Sequence, residues 1–314
     1  VTGVQTCALP ICGVGGYIGA KLAAVGSTDL EVCFVARGEH LKVIREHGLT
    51  LHSRDFAGGK INVKPAVATD RLEDLRQAEV FILTVKGYDL AKVASDLKPL
   101  VKEETVILPL LNGADIYDRL RRIIPNGIIL PACIYISAHL GAAGTVNHTS
   151  TPGRIILGKD PKRPDFVPEA LLQVFTKAKL DYVWKENAAS DIWEKYIFIS
   201  AFSLVSACYD RTIGEILADP ALLNITIGIM KEVFRIASAR GIDLPEQVVD
   251  LAIKKASGFP YETRTSFQLD VAAGKPQNEL EILGGAIIEM GKESGVATDF
   301  TDQVYSQLKK GERD

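Results

Sequence analysis

The chain has 314 residues, of which 24% are charged and 47% are apolar, as in ordinary folded proteins with room for two domains. Its formal net charge of −3 provides no electrostatic basis for binding nucleic acid or an anionic membrane, so we expect neither as a partner. The longest uncharged apolar runs, at 128–138 and 196–208, are shorter than the ~20 residues of a membrane-spanning helix.

The five cysteines are scattered, odd in number and without a C-x-x-C pair. They indicate reduced thiols, and neither a disulfide framework nor a zinc site. The five histidines also lack the spacing of metal ligands. No basic segment precedes an apolar one, as it would in a secretory signal. We therefore predict a cytoplasmic protein without a metal.

The first residues differ in character from the rest of the chain. A dinucleotide-binding domain opens with a buried apolar strand that runs into a glycine turn. Here Pro10 stands where a central strand needs a backbone hydrogen-bond donor. Residues 1–12 also look like translated adapter sequence joined to a truncated gene, which is set apart from fold reasoning. We expect at best a poor first strand within residues 4–12.

A glycine cluster comes next, in which Gly13, Gly15 and Gly16 precede a helix-forming stretch. Glycines let the backbone turn sharply and approach a pyrophosphate at the N-terminus of the next helix. The full G-x-G-x-x-G pattern is absent, because with Gly15 as its third glycine the first two positions hold Pro10 and Cys12. We predict that these three glycines bind the phosphates of a dinucleotide. Plain helix packing is the alternative.

The second predicted strand, at 31–36, is followed by Arg37. At this place an acidic residue binds the ribose 2′-hydroxyl of NAD, whereas an arginine accommodates the 2′-phosphate of NADP. Arg37 therefore favours NADP. The alternative is a solvated loop residue, the commoner fate of a lone arginine.

Strands then alternate with helices. A helix is predicted at 40–47, and strands are predicted at 49–51, 61–68, 78–86, 105–111 and 128–137. Such alternation indicates a parallel, doubly wound sheet whose ligands bind beyond the carboxyl ends of the strands. Lys86 and Asn112 lie at two such ends, so we expect both to face the cofactor. The alternative is polar strand ends that face bulk water.

The pattern changes near residue 185. Before this point, 144–148 and 154–157 predict a β-hairpin, followed by a helix at 164–179 and a strand at 181–184. After it, every predicted element is a helix, at 191–208, 220–240, 246–258, 263–273, 278–293 and 299–309. We therefore predict an α/β domain at 1–185 and an all-helical domain at 186–314.

The helix predicted at 191–208 is apolar or small on nearly every face, which is typical of a buried helix. Lys195 lies one turn into it, and lysine is seldom fully buried without a partner or a purpose. One interpretation is a side chain that extends to water at the helix end. The other, which we pursue, is an ammonium held for a substrate.

Several short motifs occur together in this chain. They are 15–23 (GGYIGAKLA), 34–41 (FVARGEHL), 84–86 (TVK), 111–113 (LNG), 193–195 (WEK), 265–267 (TSF) with Asp270, and 278–285 (NELEILGG). Each is modest alone, but in this order and spacing the chain resembles the ketopantoate reductase (2-dehydropantoate 2-reductase) family from about residue 13 to its end.

The resemblance implies an α/β Rossmann-like N-terminal domain and an all-helical C-terminal domain like that of 6-phosphogluconate dehydrogenases. It implies NADPH-dependent reduction of 2-dehydropantoate (ketopantoate) to pantoate, as in pantothenate and coenzyme A biosynthesis. The substrate would be a small-molecule 2-oxo acid, and a homodimer is compatible with the resemblance.

The resemblance also implies roles for single residues. Lys195 would be the catalytic lysine, and Glu279 would hold its ammonium and bind the product hydroxyl. Asn112 would lie beside the nicotinamide and the substrate carbonyl. Ser266 would contact the substrate carboxylate, and Lys86 would lie on the cofactor side. Without the resemblance, Glu279 is typical of a solvated carboxylate in a first helical turn and Ser266 of a helix start.

The chain departs from the family pattern in three respects beyond the opening strand. Two glycines of the fingerprint are missing. The asparagines that some members carry one and two turns after the lysine are Ile199 and Ser203 here. Segment 274–279 is one residue longer, so that Asn278 is a rival of Glu279. The alternatives are therefore a reductase of another 2-oxo acid or an imine, and a nucleotide-binding protein whose turnover is impaired by the incomplete glycine loop.

Overall fold

The computed structural model describes residues 6–27, 30–149 and 153–311, with side chains from residue 10 onward. The chain divides into two compact units. The first, here called the α/β unit, comprises Val1–Val85, Asp89–Leu111 and Ile116–Ala188. The second, the helical unit, comprises Ala189–Asp314 together with two short segments, Lys86–Tyr88 and Asn112–Asp115.

The α/β unit carries the strands. They are β1 (Thr6–Pro10), β2 (Glu31–Val35), β3 (Leu49–His52), β4 (Lys60–Val63), β5 (Val67–Thr69), β6 (Val80–Leu83), β7 (Val106–Pro109), β8 (Ile128–Ile129), β9 (Ala132–Tyr135), β10 (Ala138–Leu140), β11 (Thr145–His148), β12 (Arg154–Gly158) and β13 (Asp181–Lys185). Its α-helices are α1 (Gly13–Ala23), α2 (Gly38–His47), α3 (Leu90–Leu97), α4 (Ile116–Ile123) and α5 (Glu169–Lys177).

The largest sheet has six strands in the order β5-β2-β1-β6-β7-β8, and every neighbouring pair is parallel. Side chains of β6 and β7 are buried along their whole length, as expected for strands covered on both faces. The chain leaves β1 toward β2 on one side and later toward β6 on the other. This reversal beside β1 is the topological switch point at which such sheets bind ligands.

β1 lies in the middle of this sheet despite its proline. Its backbone pairs with β2 over five residues and with β6 over two. Pro10 is the last residue of the strand, where a missing N–H interrupts the ladder least. The expected poor strand is therefore a central strand, and residues 1–5 lie outside the described part of the chain.

Two smaller sheets contain the remaining strands, and they correct the predicted hairpin. β11 pairs with β10 in antiparallel and with β3 in parallel orientation, whereas β12 pairs with β13 and β9 in a separate sheet. The prediction that 144–148 and 154–157 pair with each other is therefore wrong. A local sequence pattern can show that a segment forms a strand. Which other strand it pairs with is decided by tertiary contacts.

Two predicted strands are divided in the structure. The run 61–68 becomes β4, which pairs with β3, and β5, which joins the six-stranded sheet. The run 128–137 becomes β8 and β9, interrupted at Pro131. Proline removes the ladder donor, so the chain changes sheets there.

The helical unit has the predicted succession of helices. They are α6 (Ala189–Tyr209), α7 (Ile213–Ala218), α8 (Pro220–Ala239), α9 (Val248–Ala256), α10 (Ser266–Ala272), a π-helical turn (Glu281–Gly285), α11 (Ala286–Ser294) and α12 (Asp299–Gly311). α7 is an addition to the prediction, and it begins with a capping box between Thr212 and Glu215. The α/β Rossmann-like and all-helical fold classes are thus both confirmed.

α6 is the centre of the helical core. Its buried side chains, from Trp193 to Ala207, pack with those of α8, α10 and α12. A helix that is apolar all round is stable when neighbouring helices cover it, which explains why the sequence of α6 has no polar stripe. Among the helices that the structure describes, none combines the length and hydropathy needed to cross a membrane.

Candidate active site

Two segments that come directly after strands of the six-stranded sheet belong to the helical unit. Lys86 comes three residues after β6 ends at Leu83, and Asn112 comes three residues after β7 ends at Pro109. Both segments cluster with the helices that begin at Ala189. This grouping brings Lys86 and Asn112, which were predicted to belong to the first domain, into contact with residues of the second.

Lys195 is buried in α6, with 8% of its surface exposed. Its Nζ donates a hydrogen bond of 3.0 Å to Oδ1 of Asn112. A buried ammonium needs such a partner, because an isolated charge in an apolar core is strongly unfavourable. The interpretation of Lys195 as a side chain extending to water is therefore wrong. The ammonium is held next to an amide whose own N–H groups can donate to a second oxygen.

Glu279 is paired with Lys86. The distance from Lys86 Nζ to Glu279 Oε2 is 2.8 Å, and the carboxylate side chain is only 5% exposed. The family resemblance led us to expect that Glu279 holds Lys195. In the structure, the four residues form two pairs, Lys195 with Asn112 and Lys86 with Glu279.

Asp270 extends the second pair. Its Oδ2 accepts a hydrogen bond of 3.2 Å from Lys86, and its Oδ1 accepts one of 2.5 Å from Lys275. Burial raises the pKa of Asp270, but the two ammonium groups lower it by more, so the net shift is downward. The pKa of Lys86 is lowered by burial and raised by more through Glu279 and Asp270. Asp270 and Lys86 therefore both keep their charge at neutral pH.

Ser266 and Asn278 lie at helix starts. Ser266 is exposed and is the first residue of α10, after Thr265, whose hydroxyl accepts a hydrogen bond from Gln268 N. The Oδ1 of Asn278 accepts a hydrogen bond from Leu280 N at 3.0 Å, ahead of the π-helical turn. Glu279, by contrast, places a buried carboxylate on Lys86.

The glycine cluster lies in the first turn of α1 and packs against backbone. A Cβ at Gly13 would collide with the carbonyl of Ala138, and a Cβ at Gly15 would collide with that of Pro10. A Cβ at Gly16 would collide with the side chain of Val146. Close helix packing therefore requires all three glycines. This is also the role of the third fingerprint glycine, so Gly15 fits that position.

Cys12 occupies the place of the second fingerprint glycine. It is the N-cap of α1, where its Sγ accepts a hydrogen bond from Gly15 N at 3.4 Å and donates one to Thr84 O at 3.0 Å. Backbone N–H groups at this end of a helix are those that bind a pyrophosphate. The switch-point topology, the N-terminus of α1 and its glycines thus fit a dinucleotide, while the Cys12 thiol engages one of the donors.

Arg37 lies two residues beyond β2, at the N-cap of α2, and is exposed. An exposed guanidinium at the end of this strand fits the position of a 2′-phosphate ligand and equally a solvated side chain. His40, one turn further, accepts a hydrogen bond from Gly144 N through Nδ1 at 2.9 Å. Burial lowers the pKa of His40, so its ring is neutral at neutral pH.

Asp270 and Lys275 were given no role from the sequence. The sequence did contain a local signal for the contact between these two residues. Gly274 comes directly after a predicted helix, and a glycine in that position reverses the chain over the last helical turn. This reversal brings the next residue back over Asp270. The contact with Lys86 had no local signal, because 184 residues separate Lys86 from Asp270.

Comparisons with known proteins agree with this arrangement. The sequence profile described as "Ketopantoate reductase PanE/ApbA" matches residues 11–162, and the profile "Ketopantoate reductase PanE/ApbA C terminal" matches residues 187–312. The "Uncharacterized oxidoreductase YkpB" of Bacillus subtilis is 27% identical over 297 residues, covering 94% of this chain and 95% of its own. The 2-dehydropantoate 2-reductase of Mesorhizobium japonicum is 27% identical over 317 residues, covering 95% and 94%.

Solved structures share the fold at lower identity. A PanE/ApbA family ketopantoate reductase from Ralstonia eutropha JMP134 has a TM-score of 0.87 at 24% identity, and 98% of each chain is covered. D-mandelate dehydrogenase in its ternary structure with NADH and anilino(oxo)acetate has a TM-score of 0.82 at 21% identity, with 98% of each chain covered. With both profiles matched in order along the two units, the chain belongs to the ketopantoate reductase family of oxidoreductases.

Proposed function

We propose that this protein reduces 2-dehydropantoate to pantoate with NADPH. The observation that carries the proposal is the buried ammonium of Lys195, hydrogen-bonded to Asn112 at 3.0 Å. An ammonium fixed in position by a hydrogen bond can stabilise an oxygen that becomes negative. The family profiles and the relative from Mesorhizobium japonicum support the same reaction.

The α/β unit provides the residues that would hold the cofactor. The first turn of α1, with Gly13, Gly15 and Gly16, would receive the pyrophosphate, and Arg37 would pair with the 2′-phosphate that distinguishes NADPH from NADH. When bound, the dinucleotide supplies a hydride to the ketone carbon of the substrate. An arginine–phosphate pair is charge-assisted and often bidentate, which supports the preference for NADPH.

Lys195 would supply the proton. As the carbonyl carbon is reduced, its oxygen gains negative charge, which the ammonium stabilises before it donates a proton from Nζ. The substrate thereby gains one hydride and one proton, and Lys195 is left neutral until it recovers a proton from water. Asn112 holds the Lys195 side chain and has amide N–H groups that can donate to the same oxygen.

Glu279 and Ser266 would contribute to substrate binding. Glu279 would accept a hydrogen bond from the hydroxyl of the product, and its hydrogen bond with Lys86 holds the carboxylate in place for that purpose. Ser266, at the exposed start of α10, would donate to the substrate carboxylate. A helix N-terminus favours an anion at this place.

A second candidate is a reductase of an apolar 2-oxo acid. Ile199 and Ser203 come one and two turns after Lys195, so the three side chains lie on one face of α6. Ile199 is partly exposed, and an isoleucine beside the reacting carbonyl favours an apolar substituent over a hydroxylated one. The same catalytic residues would serve both substrates.

The compartment is part of the proposal. Among the side chains that the structure describes, Cys12, Cys33, Cys133 and Cys208 are not joined in disulfides. Cysteines outside disulfides are typical of a reducing compartment, which supports a cytoplasmic enzyme.

The proposal is tested by NADPH oxidation, measured by absorbance, with a panel of 2-oxo acids. The panel contains 2-dehydropantoate, 2-oxoisovalerate, phenylglyoxylate and pyruvate, and a cyclic imine serves as a further substrate class. Highest kcat/KM for 2-dehydropantoate supports the first candidate, and highest kcat/KM for an unhydroxylated acid supports the second. If NADPH binds but no member of the panel is reduced, the proposed reaction is wrong, and the chain is a nucleotide-binding protein.

A further inference from the structure

We propose that Asp270 is a positioning residue, which holds the Lys86 ammonium on the Glu279 carboxylate, and that Lys275 holds Asp270 in place. The inference deepens the proposed function, because Glu279 is assigned there to the substrate. All four residues belong to the helical unit.

The geometry forms one continuous chain of charges. Lys275 Nζ lies 2.5 Å from Asp270 Oδ1, Asp270 Oδ2 lies 3.2 Å from Lys86 Nζ, and Lys86 Nζ lies 2.8 Å from Glu279 Oε2. The two carboxylate side chains are 12% and 5% exposed, whereas the side chain of Lys86 is 40% exposed. The two nearly buried carboxylates thus converge on one accessible ammonium.

Lys86 needs more than one contact to remain in place. It has a flexible four-carbon stem, and a single partly exposed ion pair contributes little after the loss of side-chain entropy. A second carboxylate at 3.2 Å restricts the ammonium to positions that reach both oxygens. Asp270 therefore fixes the direction from which Lys86 approaches Glu279.

Lys275 balances the charge of this group. Two buried carboxylates with one ammonium would carry a net negative charge, and like charges close together disfavour their ionised forms. The Lys275 ammonium makes the sum zero, and it does so on the oxygen of Asp270 that Lys86 does not use. Each oxygen of Asp270 thus has its own cation.

The backbone explains how Lys275 reaches Asp270. Gly274 has φ +62°, its N–H donates to Val271 O at 2.9 Å, and the N–H of Lys275 donates to Asp270 O at 3.2 Å. This is a Schellman motif at the end of α10, in which the residue after the glycine lies over the residue three positions before the cap. That pair is usually a hydrophobic contact, and here it is the ion pair between Lys275 and Asp270.

The test measures the reactivity of the Lys86 amine directly. The folded protein is labelled with acetic anhydride at pH ~8, where only neutral amines react. The labelling rate of Lys86 is determined by mass spectrometry relative to Lys64, an exposed lysine of the α/β unit. Because Glu279 and Asp270 raise the pKa of Lys86, loss of one carboxylate increases its neutral fraction.

In Asp270→Asn, which retains the shape of the side chain, we expect the Lys86/Lys64 rate ratio to rise about three- to tenfold. In Lys275→Met, which changes a side chain that is 56% exposed and leaves both carboxylates, the group gains net negative charge, so the neutral fraction of Lys86 decreases and we expect the ratio to fall by about twofold. An unchanged ratio in both variants would overturn the proposal. If Asp270→Asn does not fold, the labelling ratio of Lys275→Met tests the proposal by itself.

Steady-state kinetics test the consequence for the substrate. With the 2-oxo acid that the parent reduces, Asp270→Asn should lower kcat and kcat/KM together by about tenfold, because Glu279 and Lys86 are no longer held in one geometry. Asp270→Glu, which restores the charge, should recover part of the loss. Unchanged kinetics would overturn the positioning role. If the parent reduces no substrate, the proposed function fails, while the labelling ratio still decides whether Asp270 holds Lys86.

Discussion

The ammonium of Lys86 lies 2.8 Å from the carboxylate of Glu279, although 193 residues separate them in the chain. Lys86 comes after β6, a strand of the six-stranded sheet, and Glu279 precedes the π-helical turn of the helical unit. The pair is largely shielded on the carboxylate side, where the side chain is 5% exposed. This ion pair therefore joins two segments that are distant in the sequence. Its carboxylate, Glu279, has a role in substrate binding in the proposed function.

Lys195→Ala should lower kcat by about 10²- to 10⁴-fold, which is the usual contribution of a general acid. The fold should persist, because α6 retains its apolar contacts with the rest of the helical core. Initial rates at saturating NADPH and substrate measure the effect, with circular dichroism as the check of folding. Lys231→Ala, at an exposed lysine of α8, is the matched control and should keep parental turnover. Near-parental turnover of Lys195→Ala would contradict the proposed mechanism.

Arg37→Ala should weaken NADPH binding by about ten- to a hundredfold and leave NADH binding nearly unchanged. The reason is that a charge-assisted contact to the 2′-phosphate, worth ~1.5–3 kcal/mol, exists only for NADPH. Fluorescence titration of both dinucleotides measures the two dissociation constants. Arg45→Ala, at the other end of α2, is the control and should affect neither. An equal loss of affinity for NADPH and for NADH would show that Arg37 does not contact the 2′-phosphate.

Cys12→Gly should tighten NADPH binding. The thiol of Cys12 accepts a hydrogen bond from Gly15 N and carries a Cβ where the fingerprint has a glycine. Removal of the side chain frees that N–H for a phosphate oxygen and lets the backbone approach more closely. Titration with NADPH measures the gain, and Cys12→Ser, which keeps a side-chain acceptor, should bind like the parent. If Cys12→Gly binds no better, the thiol does not obstruct the phosphate site.

Replacement of residues 1–12 with an apolar strand that ends in Gly-x-Gly extends this prediction. The replacement should raise the melting temperature of the α/β unit, because it removes Pro10 from the central strand β1. It should tighten NADPH binding for the same reason as Cys12→Gly. If the chain with the replacement binds NADPH like the parent, residues 1–12 do not weaken the phosphate site.

Protonation of His40 should destabilise the α/β unit at low pH. In the folded state burial lowers the pKa of His40, and its Nδ1 must be unprotonated to accept the hydrogen bond from Gly144 N. The unfolded chain has the ordinary histidine pKa of ~6.5 and binds the proton more readily, so stability falls as pH decreases below that value. The contribution is fully present above about pH 7.

Thermal unfolding of the parent and of His40→Gln measures this effect between about pH 7.5 and about pH 5.5. Glutamine can accept from Gly144 N and does not titrate in this range. The melting temperature of the parent should therefore decrease by more between these two pH values than that of the variant. Equal losses would show that His40 does not contribute to the pH dependence of stability.

Much of the architecture was determined by local pattern in the sequence. The apolar runs that became β6 and β7, and the long apolar stretch that became α6, were predicted because period and length decide between strand and helix when burial is nearly complete. Boundaries such as Pro220 at the start of α8 were predictable from proline and glycine chemistry. The short motifs between residues 15 and 285, taken together in their order and spacing, indicated the family.

Pairing between distant residues was decided by tertiary structure alone. β11 and β12 are close in sequence, yet they lie in different sheets, since the partner of a strand depends on which edges the rest of the fold leaves open. The association of Lys86 with Glu279 and Asp270 likewise required the fold to bring residues near 86, 270 and 279 together. The periodicity of apolar residues predicts which face of a helix or strand is buried. It does not predict which charged residue from a distant part of the chain will contact that element.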